Sequence, residues 1–466
     1  MSQAKLETLD PTTQRTPRLG FRWWICALLF FATTLSYVDR GVISYIKGDL
    51  QSTFGWNEID YGNVVASFSL AYAFGYLFAG RIIDMIGIRV GFALAVGLWS
   101  LAAMAHALNG LLSPHTTLGA LLHISSLPIG KGLLLIPASL AGFTVARFAL
   151  GIAEGGNFPA AVKTVGEWFP IRERALATGI FNAGSNIGAL VTPILVPAIL
   201  TIGLGWPTCF IVTGTFGLIW LIAWLAIYRA PERHPRLSAE ELRFIRSDPP
   251  DHPARVRWLD LIRYRATWAF VVGVALSSPI WWFYLYWLPD FLKKNFELDA
   301  SHHLALPILA VYVLSDVGSV AGGWLSSTLI ARGFSVNFGR KTALLACAFC
   351  VLPVFLAPRQ TSMWPATLLI ALAAAAHQGF SANLFTLVSD TMPKAAISSV
   401  VGIGGFAGAL MGMLFQTFAG HVLQNHPASS YLILFGIASV SYLVAVIAIQ
   451  CLVPRLERVR LPEPVK

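Results

Sequence analysis

Lipid leaves a chain two ways to cross it, because every backbone N–H and C=O inside the hydrocarbon must find a partner within the protein: helices or a closed barrel. Here the long apolar runs select helices. About 20 apolar residues span a bilayer as a helix, and such runs recur at 22–43, 62–83, 88–108, 140–162, 175–200, 206–228, 267–291, 304–330, 341–357, 364–389, 399–423 and 429–453. With 56% hydrophobic residues, only 12% charged residues and a mean hydropathy of +0.66, the 466-residue chain is expected to be an all-α integral membrane protein of 12 transmembrane helices. No short apolar run ending in a cleavage site opens it, so the first helix is expected to persist in the mature protein.

The net charge of +10 raises a nucleic-acid partner, and its distribution rejects it. With the N-terminus inside, 26 of the 33 basic residues fall on the side of the termini, five fall on the other side, and Arg40 and Arg147 lie within the membrane. That asymmetry is the positive-inside rule, which sets both termini in the cytoplasm of a multi-pass protein of the inner (plasma) membrane. Membrane lipid, not a polyanion, is the expected surrounding. Cys26, Cys209, Cys347, Cys350 and Cys451 all lie in apolar runs, so the Cys347-x-x-Cys350 spacing reads as helix packing.

Two stretches repeat in spacing. Pro170 to Gly179 and Pro393 to Gly402 each run from a loop into a small-residue-rich helix, and Gly87–Arg89 and Gly339–Lys341 each close a loop and open a helix. Two parallel six-helix halves around a central cavity follow. The divisions are a tail at 1–21, a first half at 22–228, a cytoplasmic linker at 229–266, a second half at 267–453 and a tail at 454–466. The first half is 29 residues longer between the paired markers, which points to an outer insertion at about 109–138. In the linker, Ser238-x-x-Glu241 has capping-box spacing ahead of an amphipathic helix around Leu242–Ile245.

Ionisable side chains in such runs are costly and mark functional paths. Asp39 and Arg40 sit late in the first run, beside Tyr37 and on or flanking a stripe of Thr33, Ser36 and Ser44. In the fourth run Arg147 and Glu154 are two turns apart on one face, and Asn157 extends that face by another turn. An inert lock, Asp39 with Arg147 or Arg40 with Glu154, is the bland reading. The active reading rests on opposed effects: burial favours a neutral carboxyl, and a neighbouring guanidinium favours the charged one. Asp39 and Glu154 are thereby poised to exchange protons. Arginine stays charged and offers a fork that matches a carboxylate. Proton uptake by both acids would leave two unbalanced cations, so proton and anion would favour each other's binding.

Further polar groups are placed at the same cavity: Tyr72 in helix 2, Asn182, Ser185 and Asn186 in helix 5, Trp281 and Tyr284 in an aromatic cluster of helix 7, and His377, Gln378, Ser381 and Asn383 in helix 10. Amides and hydroxyls suit a polyhydroxylated ligand, and rings suit the apolar face of a sugar. Asp316 in helix 8 has no basic neighbour in its helix and is expected near the cytoplasmic end, in a structural or gating role.

The strings RFALGIAEGGNFPAAVKTVGEWFP from Arg147, SYVDRG from Ser36, YLYWLPDFL from Tyr284 and HQGFSANLFTLVSDTMPK from His377 resemble the anion:cation symporter branch of the major facilitator superfamily. The bacterial hexuronate transporters are the nearest likeness, over almost the whole chain. The resemblance implies proton-coupled uptake of a sugar-acid anion by alternating access. It assigns proton coupling to Asp39 and Glu154, the substrate carboxylate to Arg40 and Arg147, and lining roles to Tyr72, Ser185 and Asn186. The family's gating element survives as GRIIDMIGIR with Asp84 and Arg89, although Met85 and Ile88 stand where basic residues are usual. The only coupling partner implied is a proton, with no other cofactor, no metal and a monomeric chain.

The nearest rival is the same machine for another organic anion, such as an aldonate, a tartrate-like acid or an aromatic carboxylate. An antiporter would need a glycine–proline pattern that helix 5 lacks at Thr192-Pro193. A membrane enzyme would need a metal cluster or nucleophile motif, and a sensor would need an output domain longer than these loops and tails.

Overall fold

The computed structural model describes residues 20–113, 115–117, 136–247, 258–296, 304–457 and 459. The first half comprises α1 (Arg22–Tyr45), the short α2 (Lys47–Phe54), α3 (Glu58–Ile86), α4 (Ile88–Ala105, continued by a 3-10 turn at His106–Leu111), α5 (Ala138–Glu154), α6 (Asn157–Trp168), α7 (Ile171–Thr201) and α8 (Gly205–Ile227). Two short helices follow, α9 (Ala239–Ile245) and α10 (Trp258–Leu261). The second half comprises α11 (Arg265–Phe296), α12 (Ala305–Ala331), α13 (Val336–Val351, continued by a 3-10 turn at Leu352–Arg359), α14 (Met363–Thr391), α15 (Lys394–Asn425) and α16 (Ser430–Leu452).

Local sequence explains where these helices start. Asn57 and Asp60 form a reciprocal capping box at α3, each side chain accepting from the other's backbone N–H at 2.9 and 3.0 Å. Ser335 caps α13 by accepting from Phe338 N at 3.2 Å. Pro170 and Pro393, whose extended backbones precede α7 and α15, end the incoming chain before each long helix begins.

Eleven helices among the described residues are long and apolar enough to cross a bilayer. The remaining apolar run, 140–162, reads in sequence as one continuous helix and is instead divided at Gly155–Gly156 into α5 and α6. Both glycines keep right-handed helical dihedrals, and close packing is what requires glycine at 155. A Cβ on Gly155 would lie 2.5 Å from the Gly75 carbonyl carbon, and one on Gly75 would lie 2.4 Å from Ile152 O, so the backbones of α3 and α5 touch. Phe31, Leu98, Ile222, Val320 and Ile447 all point outward in the open, which is the surface of a multi-pass membrane protein and not of a water-soluble one.

Helix pairing repeats between the halves. α1 packs on α7 as α11 packs on α15; α3 on α5 as α12 on α14; α4 on α8 as α13 on α16. The halves meet through α3 with α15, α7 with α12, and α1 with α11. Only the ends of the 109–138 insertion belong to the described residues. There Thr117 and Pro137 form an antiparallel bridge, and Ala138 N donates to Thr116 O at 2.8 Å.

The capping box expected at Ser238 is half formed. Ser238 accepts from Glu241 N at 3.1 Å, but the Glu241 carboxylate leaves its own helix for α1. It accepts from Phe21 N at 2.9 Å, Arg22 N at 3.1 Å and Arg22 Nη1 at 3.1 Å. Arg22 also donates from Nε to Glu173 at 2.7 Å, so one buried arginine fastens α1, α7 and α9.

Candidate functional site

Late in α1 and along α5, four charges are brought together. Arg40 is 4% exposed and donates from Nε to Glu154 Oε2 at 2.6 Å; Ser36 Oγ donates to the same oxygen at 2.9 Å. Oε1 of Glu154 has no hydrogen-bond partner, so the pair is a single contact and not a fork. The Arg40 guanidinium is enclosed by rings, with Tyr72 at 4.4 Å, Tyr37 at 4.7 Å, Phe68 at 5.3 Å and Trp282 at 5.8 Å from centroid to Cζ. The last comes from α11, so the second half reaches the arginine through an aromatic face.

Arg147 is fully buried, donates only weakly from Nη1 to Arg40 O at 3.5 Å, and leaves Nε and Nη2 without hydrogen-bond partners. Asp39 is 1% exposed, and neither of its carboxylate oxygens has a hydrogen-bond partner. A buried donor or acceptor left unmade costs roughly 1–3 kcal/mol, and more when charged. Such a cost is unusual in a native interior, and this site concentrates several: Asn157 Oδ1 at the start of α6 is unpartnered as well.

Between the halves, Asn186 of α7 donates from Nδ2 to Asp316 Oδ1 of α12 and accepts from Gln378 Nε2 of α14 at 3.4 Å. Asp316 is expected from its sequence near the cytoplasmic end. It falls instead near the middle of α12, as Asn186 falls near the middle of α7. Ser185 turns back to Asn182 O at 2.6 Å, Asn182 is exposed, and Ser381 is half-buried.

Other residues named from the sequence go elsewhere. His377 bonds the Tyr442 hydroxyl at 2.6 Å and stacks on Trp281 at 5.1 Å, inside the second half. Asn383 donates to the Gly322 and Gly379 carbonyls, both at 2.9 Å, which clamps α12 to α14. Tyr284 packs against Phe283 and Phe435. Arg89 donates to Leu225 O at 2.5 Å, holding α4 to α8 within one half. The side chain of Asp84 lies outside the described residues. Phe68 carries no polar signal in the sequence, and of the helix 7 aromatic cluster it is Trp282, not the expected Trp281 or Tyr284, that approaches Arg40. Neighbouring helix residues differ by about 100°, so only the phase of α11 against α1 decides which ring points inward.

At the end of the bundle where α2 lies, a second charged cluster closes the halves together. Lys47 contacts Glu58 at 2.6 Å and Asp290 at 2.9 Å; Lys294 contacts Glu58 at 2.6 Å and Asp290 at 3.2 Å. Tyr431 donates to Asp290 at 2.5 Å, and Lys293 donates to Tyr45 O at 3.1 Å. Burial pushes the Lys47 ammonium below its usual value, although the facing carboxylates pull it back. Beneath the cluster Gly62 and Gly420 let α3 and α15 meet, since a Cβ on Gly62 would stand 3.0 Å from Gly420 Cα. Among the described residues, the ion pairs that cross between the halves all lie at this end.

Two repeated six-helix halves, with an arginine–carboxylate constellation buried between them and a closed charged rim, define a multi-pass transporter rather than an enzyme. The chain belongs to the Major Facilitator Superfamily, whose model matches residues 29–416. It is 28% identical to the hexuronate transporter of Escherichia coli (strain K12), covering 86% of this chain and 87% of that one. It is 29% identical to the galacturonate transporter of Dickeya chrysanthemi over 68% of this chain and 85% of that one. The D-galactonate transporter of Escherichia coli O6:H1 is 27% identical, with 91% and 95% covered. Among solved structures, a D-xylose-proton symporter matches with a TM-score of 0.69 at 18% identity, covering 93% of this chain and 98% of that one, which bears on the fold alone.

Proposed function

We propose that this protein imports a sugar-acid anion, a hexuronate such as glucuronate or galacturonate, by proton-coupled symport. In this reading both termini lie in the cytoplasm of the inner membrane, the α2 end faces outward, and the chain works as a monomer. The structure then corresponds to a state closed to the outside. Relatives that transport hexuronates and a galactonate support the substrate class.

The observation that carries the coupling is the unequal use of the four charges. Arg40 is occupied by Glu154 through a single contact, whereas Asp39 and the free edge of Arg147 have no hydrogen-bond partners. An ionised carboxylate without a donor is expensive to bury, and a proton removes that expense. Protonation of Glu154 releases Arg40, whose fork can then hold the incoming carboxylate bidentately between the rings of Tyr37 and Tyr72. Arg147, with Nε and Nη2 already free, supplies the second grip. Proton and substrate thus share one site, and binding of either favours the other. After release of substrate and proton to the cytoplasm, Arg40 re-pairs with Glu154 and the empty site is electrically settled for its return.

The test is uptake of labelled glucuronate or galacturonate into proteoliposomes, with and without an inward proton gradient. Accumulation should require the gradient. Accumulation of neutral glucose or xylose in place of the acids would overturn the reading.

A further inference from the structure

The two halves contribute unlike charges to the site. Both mid-membrane cations, Arg40 and Arg147, belong to the first half. The spans of the second half carry lysine and arginine only near their ends, and among the described residues the mid-helix carboxylate they turn toward the first half is Asp316. Its Oδ1 accepts from Asn186, whereas Oδ2 has no hydrogen-bond partner and the side chain is only half-buried. Gln378 reaches the same Asn186.

Two sets of contacts link the helices that carry this trio to the helices that carry the rings around the arginine. Along α7, Gly184 and Gly188 bring the helix against α1 so tightly that a Cβ on Gly188 would stand 2.6 Å from the Tyr37 Cβ, and Tyr37 is one of the rings around Arg40. Along α12, Tyr312 is one turn from Asp316 and meets Trp281 edge-on at 5.7 Å; the next residue, Trp282, is the ring 5.8 Å from Arg40. A ligand whose carboxylate lies on Arg40 and whose other end reaches across to the second half would meet Asp316, Asn186 and Gln378 there. Hydroxyl groups arriving there find an acceptor in Oδ2 and amides on either side. A second carboxylate arriving there finds a like charge and no cation.

We infer that Asp316, braced by Asn186, is a specificity residue that admits sugar acids bearing one carboxylate and excludes those bearing a second at the far end. The inference rests on the sugar-acid reading above and narrows it to polyhydroxy monocarboxylates. Hydroxyl donors strengthen on a charged acceptor, whereas like charges set face to face are a standard means of rejecting the wrong ligand.

D-gluconate and D-glucarate separate these possibilities, because they share a six-carbon polyhydroxy chain and differ by one carboxylate. Each is tested as a competitor of labelled D-glucuronate bound to purified protein, with a thermal shift confirming that every variant is folded. In the wild type, D-glucarate should compete about tenfold less well than D-gluconate, the scale of one like-charge contact at a dielectric between those of water and a dry interior. Asp316→Asn should bring the two within about threefold, and Asp316→Glu, which retains the charge, should restore the preference. Equal competition in the wild type overturns the inference, as does an unchanged ratio in folded Asp316→Asn. If Asp316→Asn does not fold, the wild-type ratio and the Asp316→Glu ratio decide, a lost preference in Asp316→Glu counting against it. Wild-type protein that binds none of the three acids overturns the sugar-acid reading itself, and this inference with it.

Discussion

Arg40 holds Glu154 by one edge only: Nε meets Oε2 at 2.6 Å, and Oε1 of the same carboxylate has no hydrogen-bond partner. A bidentate pair would be a structural rivet. A single contact between a permanent cation and a proton-accepting group is one that protonation can undo. Glu154→Gln is expected to reduce gradient-driven uptake to the equilibrative level while exchange of internal for external substrate survives. Asp39→Asn should behave alike. Counterflow measured beside net accumulation checks both, and full accumulation by either variant refutes the proton role given to that residue.

Arg40→Lys and Arg147→Lys keep the charge and discard the fork. Each is expected to weaken substrate binding by about one order of magnitude or more, since a charge-assisted hydrogen bond contributes roughly 1.5–3 kcal/mol. Titration of purified protein with glucuronate reads the change directly. Wild-type affinity in both variants would remove the carboxylate clamp.

Much of this site is legible in the amino-acid sequence because hydrocarbon makes charge conspicuous. Asp39, Arg40, Arg147 and Glu154 declare themselves by lying in runs where ions are costly, and the repeated Pro–Gly spacing exposes the two halves. What stays hidden depends on contacts between helices. The run 140–162 reads as one helix, and its division at Gly155–Gly156, where Gly155 lies against the Gly75 backbone, shows only in the fold. Trp282 and Trp281 are equivalent in a one-dimensional pattern. The Ser238–Glu241 spacing is a true cap on one side only, because Arg22, more than 200 positions away in the chain, competes for the carboxylate. His377 resembles a ligand group until Tyr442 takes its Nδ1. The charges of the α2-end cluster read singly as interface residues, since nothing in the sequence joins Lys47 to Asp290.

The Arg22 fastening yields a stability prediction free of transport chemistry. Glu241→Ala leaves two backbone N–H groups at the start of α1 without their acceptor and removes one of two carboxylates from a buried guanidinium. Glu173 remains, so the loss should be about 1–3 kcal/mol rather than the larger cost of a fully orphaned ion. Thermal melting in detergent should show a lowered midpoint with glucuronate affinity unchanged. An unshifted midpoint would mean that α9 does not brace the first half.

Gly75→Ala tests the backbone contact beneath the site. The added Cβ would lie 2.4 Å from Ile152 O, and the obstacle is main chain, which has no rotamer to yield. Overpacking costs typically about 1–3 kcal/mol, and here relief requires α5 to move and carry Arg147 and Glu154 with it. Loss of stability and of substrate affinity together is the expected outcome. Gly166→Ala is the control, because a Cβ there meets nothing within 4 Å and should alter neither property.

The cluster at the α2 end is expected to hold that face of the bundle shut. Lys47–Asp290 and Lys294–Glu58 cross between the halves, and Asp290 also accepts from Tyr431, so the carboxylate of Asp290 joins α2, α11 and α16. Lys47 is 2% exposed and Asp290 8%. Asp290→Asn leaves Lys47 with Glu58 as its one remaining carboxylate, at a cost of roughly 1–3 kcal/mol to the state in which the cluster is dry. That cost falls on the closed form alone, because opening lets water reach Lys47. Asp290→Asn should therefore shift the resting population toward the outward-open form. Ile46, fully buried beside Lys47, reports the shift. In the Ile46→Cys background, a membrane-impermeant thiol reagent applied from outside should react at least about tenfold faster once Asp290→Asn is added, a population change well within that energy range. Asp290→Glu, which keeps the charge, should return reactivity toward the parent. Equal labelling rates with and without Asp290→Asn would show that apolar contact between α3 and α15, not the ion pairs, holds this face shut.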